Sequence, residues 1–299
     1  MLIDQIETKA HELGINMYAI CQLENGVYFS RRLQEANEKN NVYSVSKSIT
    51  SLITGILADQ NAVDLYEESV WDIFKYSGLV IPAQWKGVKL VHLLTHTTGY
   101  GKDCLDIDQE DTTALENQDF IKVTLNQPLT YRPGERMVYC DANYYLLSRV
   151  ISQKTNRMLQ DLARDWLFAP LGIIGAAWAT CPSGYAMGAT GLFLSAYDMA
   201  RLGELLLNQG WWNGKQLIPE RWIYEMTQKH TAPDLSVRDS YGYGFWIRSD
   251  TKAFMANGML GQLIFVSPKK KRVIAWQSCT HSEKIGELTD WLVQWDNES

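Results

Sequence analysis

Tyr43-Ser44-Val45-Ser46-Lys47-Ser48-Ile49-Thr50-Ser51-Leu52-Ile53-Thr54-Gly55-Ile56-Leu57 sets a serine and a lysine three residues apart at the head of an apolar run. Leu52, Ile53, Ile56 and Leu57 recur at helical spacing, which predicts a helix buried on at least one side. Positions i and i+3 share a helix face, so Ser44 and Lys47 point into the same space. A serine hydroxyl is a poor nucleophile until a base takes its proton, and a lysine can be that base when burial or a second cation lowers its pKa. The first turn of a helix also favours negative charge on the serine oxygen and on a tetrahedral intermediate. Alone, the tetrapeptide equally fits a capping serine followed by a solvated lysine. Ser46 and Ser48 lack a lysine three residues on.

Two later stretches change that balance. One is Pro133-Gly134-Glu135-Arg136-Met137-Val138-Tyr139-Cys140-Asp141-Ala142-Asn143-Tyr144-Tyr145. The other is Phe254-Met255-Ala256-Asn257-Gly258-Met259-Leu260-Gly261-Gln262-Leu263-Ile264-Phe265-Val266. Ser-x-x-Lys, a tyrosine triplet and a glycine-bearing strand near the C-terminus, in that order, resemble the serine β-lactamase and penicillin-binding-protein superfamily. The resemblance is closest to its class C branch, which includes DD-peptidases, family VIII carboxylesterases and 6-aminohexanoate-dimer hydrolases. Leu93–Gly99, Gly191–Gly203 and Tyr241–Trp246 agree with it, so it runs from about Val42 to about Trp276.

The 299 residues carry a net charge of −6 and are 46% hydrophobic, with 11 Trp and 15 Tyr, a globular enzyme profile with no basic stripe for nucleic acid. Lys269-Lys270-Lys271-Arg272 reads as a solvated turn between two strands. No apolar run approaches the ~18 residues of a membrane span. Met1–Lys9 reads as an amphipathic helix start rather than a secretory leader. The five cysteines are odd in number and show no paired spacing, which fits a reduced, cytoplasmic protein.

Residues 2–13 read as a helix, and Glu24-Asn25-Gly26 between apolar runs reads as a hairpin turn. Strands are expected at 253–257, 261–267 and 272–279, and a closing helix at 282–295. The middle is mostly helical, with helices at 142–154, 158–168 and 196–209. The expectation is one α+β domain over 1–299. An α/β lobe (about 1–60 and 225–299) would hold an antiparallel sheet from the chain's two ends, flanked by helices. A mainly helical lobe (about 61–224) would be inserted, with the site in the cleft between the lobes. The resemblance implies the same β-lactamase/transpeptidase-like architecture.

The resemblance assigns Ser44 as nucleophile, Lys47 as proton acceptor or relay, and Tyr139 as the tyrosine that shuttles a proton between serine and leaving group. Asp141 stands where the family has an asparagine that binds the substrate amide. A carboxylate offers acceptors only, and beside Lys47 it favours the ammonium, moving proton transfer onto Tyr139. Ala256-Asn257-Gly258 replaces the family's Lys-Thr-Gly. Gly258 would let substrate approach the strand, with Asn257 beside it, and the Met259 N–H would join that of Ser44 as an oxyanion hole. With no cation at 256 or 257, the pattern points away from β-lactams and DD-peptides.

His92 and His96 tempt a Ser-His reading, but Leu-x-x-His-Thr-Thr-Gly resembles a structural element of the family. Asn143 is likewise structural. His281, after the last strand, would edge the cleft. No ligand spacing implies a metal and no glycine-rich loop a phosphate cofactor, so none is expected. The reading is a serine hydrolase acting through an acyl-enzyme on a small ester or amide, with no nucleic-acid or membrane partner. The alternatives are a weak β-lactamase or DD-peptidase, and a non-catalytic binding protein that kept the fold.

Overall fold

The computed structural model describes residues 1–108, 118–232, 239–248, 252–280 and 283–298. The first half of the chain forms α1 (Leu2–Glu12), β1 (Met17–Glu24), β2 (Val27–Arg32), β3 (Asn40–Asn41), α2 (Val45–Asp59), α3 (Val70–Phe74), α4 (Leu90–Leu94), α5 (Phe120–Asn126) and α6 (Asp141–Thr155). Then come α7 (Leu159–Ala163), β4 (Ala177–Trp178), β5 (Leu192–Leu194), α8 (Ala196–Leu207), β6 (Trp211–Trp212), β7 (Lys215–Gln216) and α9 (Glu220–Met226). The chain closes with β8 (Asp239–Tyr241), β9 (Trp246–Arg248), β10 (Phe254–Gly258), β11 (Gln262–Ser267), β12 (Arg272–Ser278) and α10 (Glu283–Glu298).

Seven strands form one antiparallel sheet in the order β2-β1-β12-β11-β10-β9-β8, so both ends of the chain build it, as expected. The N-terminal hairpin closes on Asn25 and Gly26, at φ 51° and 77°, the left-handed pair that suits the twist of its strands. β8 and β9 escaped the sequence reading because three residues each carry too little alternation to register. The solvated turn predicted at 269–272 holds for its lysines only. Arg272 begins β12 and is buried, paired with Glu24 and Asp296.

β11 and β12 are buried along their whole length because both faces of the sheet are covered. On one face α1 and α10 pack Ile3, Ile6, Leu288 and Leu292 against Ile20, Phe265 and Trp276. On the other, α8 lies across β1, β11 and β12, although it falls within the span read as the helical lobe. Ser195 starts α8 with a capping box: its hydroxyl accepts from the Asp198 N–H at 3.0 Å, and the Asp198 carboxylate accepts from the Ser195 N–H at 3.0 Å. The helix predicted at 158–168 begins as α7 and runs on as a π-helical turn over Arg164–Phe168. No helix among the described residues is long and apolar enough to cross a membrane.

α2 joins the two parts of the molecule. It touches α6, α7 and α9 on one side and β10 and β11 on the other, and Val45 through Leu57 are all buried. Most of the hydroxyls of a helix so enclosed find partners inside the protein, Ser51 Oγ being an exception. Ser48 donates to the Gly244 carbonyl at 2.6 Å and Thr50 to that of Gly188 at 2.7 Å. The fold is α+β, an antiparallel sheet flanked by helices.

Candidate active site

Ser44 ends a tight turn and caps α2. The turn is held from three directions. The Val42 N–H donates to the Leu192 carbonyl at 2.8 Å, and the Tyr43 N–H donates to Asn41 Oδ1 at 2.9 Å. On the third side lies the end of β10, where a Cβ on Gly258 would fall 2.3 Å from the Val42 carbonyl oxygen. Gly258 therefore admits the backbone of the serine's own turn. Tyr43 adopts φ 48°, a left-handed conformation uncommon outside glycine and asparagine, immediately before the serine.

Lys47 is fully buried, and its ammonium donors have three acceptors: Ser44 Oγ at 2.8 Å, Asp141 Oδ1 at 2.7 Å and the Ala189 carbonyl at 3.1 Å. Three acceptors match the three N–H groups of a charged lysine. Burial works against that charge, but the Asp141 carboxylate foremost, with Tyr139 behind it, outweighs burial and holds the Lys47 pKa above its ordinary value. Asp141 reaches this position as the first residue of α6, where the helix N-terminus also favours a carboxylate.

Tyr139 lies just ahead of α6, with its ring centroid 4.7 Å from Lys47 Nζ. Burial raises its pKa and the Lys47 charge opposes that rise; the net shift is upward. The phenol ring is held between two other rings. His96 stacks on it at 4.3 Å with planes 28° apart, and Trp246 lies parallel at 6.0 Å and 16°. Tyr241 meets its edge at 6.0 Å and 84°.

His96 is buried and stands behind Tyr139. Its Nδ1 accepts from the Cys140 N–H at 3.2 Å and lies 3.1 Å from the Asn143 amide nitrogen, which leaves Nε2 as the donor to the Tyr241 hydroxyl at 3.3 Å. Burial first, and then the charge on Lys47, push its pKa well below the usual imidazole range, so the ring is neutral. His92 instead caps α4, its Nδ1 accepting from the Lys89 N–H at 3.0 Å. Asn143 is buried, bonded to Thr98 and His96.

Asn257 is half-buried on β10, its Oδ1 without a hydrogen-bond partner among the described residues, and Met259 follows Gly258 in a 3₁₀ turn. His281 lies outside the described residues. Sequence reasoning places specificity in loops such as 100–127 but singles out none of Asp103, Asp106 and Asp108 there. Asp103 Oδ1 accepts from the Asp141 N–H at 3.0 Å, and burial and then the Asp141 charge raise its pKa to about 6. Carboxylate oxygens of Asp106, Asp108 and Asp141 lie within 4.8 Å of one another. Asp141 is already paired with Lys47 and Asp108 accepts from Thr190, so no metal role follows. Nothing in the spacing of these acids marks them; only their approach to Asp141 does. Trp246 was in a quoted motif, but an aromatic residue carries no chemical signature of its own.

A family model described as Beta-lactamase matches residues 29–291. The chain belongs to the Beta-lactamase family. The 6-aminohexanoate-dimer hydrolase of Paenarthrobacter ureafaciens is 20% identical over 256 residues, covering 80% of this chain and 65% of that relative, so the chain spans just under two thirds of its length. Among solved structures, the octameric penicillin-binding protein homologue from Pyrococcus abyssi superposes with a TM-score of 0.80 at 17% identity, covering 98% of this chain and 77% of that one. EstCE1, a hydrolase with promiscuous acyltransferase activity, gives 0.73 at 16% identity, covering 96% and 97%. Likeness at that identity establishes the fold of this Beta-lactamase-family chain.

Proposed function

We propose that this chain is a serine hydrolase that opens esters or small amides in two steps, through an acyl group carried on Ser44. The observation that carries the reading is Lys47 Nζ at 2.8 Å from Ser44 Oγ, both at the head of a helix enclosed on every side. Ser44 Oγ attacks the substrate carbonyl, and the backbone N–H groups of Ser44 and Met259 receive the developing oxyanion. Lys47, its three donors engaged, keeps its proton. It orients Ser44 Oγ and favours negative charge on the neighbouring phenol. Tyr139 takes the serine proton and passes it to the leaving oxygen or nitrogen, and water then repeats the sequence to release the acyl group. Because burial opposes the Tyr139 phenolate, turnover is expected to climb as pH rises into the alkaline range.

The preference for esters rests on Asp141, which supplies no donor to a substrate amide, and on the absence of a cation at 256 or 257. The named dimer hydrolase keeps small amides within the reading. A fluorophosphonate probe should label Ser44, and Ser44→Ala should remove labelling and turnover while leaving the fold intact. Should Ser44→Ala keep more than about a tenth of the activity, less than ~1.4 kcal/mol of barrier has been lost and the nucleophile lies elsewhere. A chain that neither labels nor turns over any ester or amide is a binding protein on this fold.

A further inference from the structure

Cys140 sits between Tyr139 and Asp141, and its sulfur faces a second buried thiol. Cys104 Sγ is 3.3 Å from Cys140 Sγ. The segments carrying them are tied at three neighbouring points. The Cys104 N–H donates to Cys140 Sγ at 3.3 Å, the Ala142 N–H to the Cys104 carbonyl at 3.2 Å, and the Asp141 N–H to Asp103 Oδ1 at 3.0 Å. A disulfide needs sulfurs about 2.05 Å apart, so closure asks for a movement of only ~1.3 Å between segments already held in register. Two free thiols this close are a chemical pair, whereas Cys181 meets the Tyr145 hydroxyl and Cys279 is exposed.

We propose that Cys104 and Cys140 are a reversible dithiol–disulfide pair, a modification site in the wall of the proposed active site that lowers turnover when oxidised. The oxidant is a hydroperoxide. The Cys104 sulfur attacks the peroxide oxygen and the O–O bond breaks, giving a sulfenic acid and one alcohol or water. The Cys140 sulfur then displaces the hydroxyl as water, and the S–S bond forms. Two thiols lose two electrons and two protons, and one hydroperoxide is reduced; a dithiol reductant reverses the change. Cys104 is the point of entry because it is 8% exposed and Cys140 not at all. Drawing the sulfurs together pulls on Tyr139 and Asp141, the direct neighbours of Cys140, and on Asp103 beside Cys104. A displacement near 1 Å at a reacting group can cost on the order of 100-fold in rate, so a loss of roughly fivefold or more in kcat is expected.

The activity arm of the test rests on the serine-hydrolase reading; the linkage arm does not. The full-length chain, in a Cys279→Ser background that removes the exposed thiol, is oxidised with hydrogen peroxide, alkylated, digested and weighed. The expected result is a peptide linking Cys104 to Cys140, a Tm raised by several degrees because the loop between them is closed, and a fall in ester kcat that dithiothreitol restores. Cys104→Ser, with Cys104→Ala as a second variant, abolishes all three changes. Recovery of both cysteines as alkylated thiols after exhaustive oxidation overturns the proposal, and so does a linked chain with unchanged Tm and kcat. If the reduced protein turns over no ester, the serine-hydrolase reading fails, and the linked peptide and the Tm still decide the pair.

Discussion

Replacing Asp141 with asparagine removes one charge from a pair buried to 1% and 7% exposure at 2.7 Å. With an effective dielectric of about 20, Coulomb's law puts a ceiling of ~6 kcal/mol on unit charges at that separation. Charge spread over two carboxylate oxygens, and relaxation of the site, bring the effect to roughly 2–3 kcal/mol, or about 1.5–2 pKa units on Lys47. The direction is downward, because the burial that opposes the ammonium stays while the largest influence favouring it goes. Lys47 stays charged, while Tyr139 loses the neighbouring carboxylate that helped raise its pKa, so the acid limb of the kcat/KM profile on a p-nitrophenyl ester should move to lower pH. The new amide can also donate to a substrate carbonyl, so turnover of amides should rise relative to esters.

The pH dependence of stability should be weaker in the variant than in the wild type. In the wild type the raised Lys47 pKa contributes stability that is complete below the unfolded value, about 10.4, and is lost as pH rises through the folded one. In Asp141→Asn a fall of that size removes most of this contribution, so the variant is less stable than the wild type at neutral pH and the gap narrows as pH rises past the unfolded value. Thermal melts of both proteins across pH 7–11 read that gap and its narrowing. A variant whose pH–rate profile, ester-to-amide ratio and melting curve all match the wild type would show that the two side chains do not share the site, and the assignment of Tyr139 would go with it.

His96→Ala should lower kcat about tenfold, with KM changed less than twofold, because it removes one of the two rings that fix the Tyr139 ring and touches no substrate. The neutral wild-type ring should add no limb to the pH profile between pH 5 and 8, which the same titration checks. Gly258→Ala should cost about 1–3 kcal/mol by denaturant melt and most of the turnover, since a methyl group 2.3 Å from the Val42 carbonyl forces the serine's turn to shift. Nitrocefin should be hydrolysed with a lower kcat/KM than short-chain esters. Arg248 is held by Asp290 at 3.2 Å, so it is not poised to replace the missing cation; a β-lactam value equal to or above the ester value would overturn this.

The parts of the molecule legible in the sequence are those that local chemistry specifies. Asn25-Gly26 closes a hairpin because its two residues tolerate positive φ, and the apolar spacing of Leu52 to Leu57 makes a helix wherever it is packed. The ordered motifs brought Ser44, Lys47, Tyr139 and Asp141 onto one page, and the structure brings them to one place. Residues distant along the chain decided the rest. Whether Lys47 is charged depends on Asp141 and the Ala189 carbonyl as well as on its own burial. Tyr139 is one of fifteen tyrosines until His96 and Trp246 close on its faces. Gly258 answers to the Val42 carbonyl, and Cys104 meets Cys140 across a separation that no cysteine spacing reveals. Hydrogen-bond partners, protonation states and close approaches are properties of the space around a side chain, and that space is filled by residues whose sequence neighbours carry no trace of the contact.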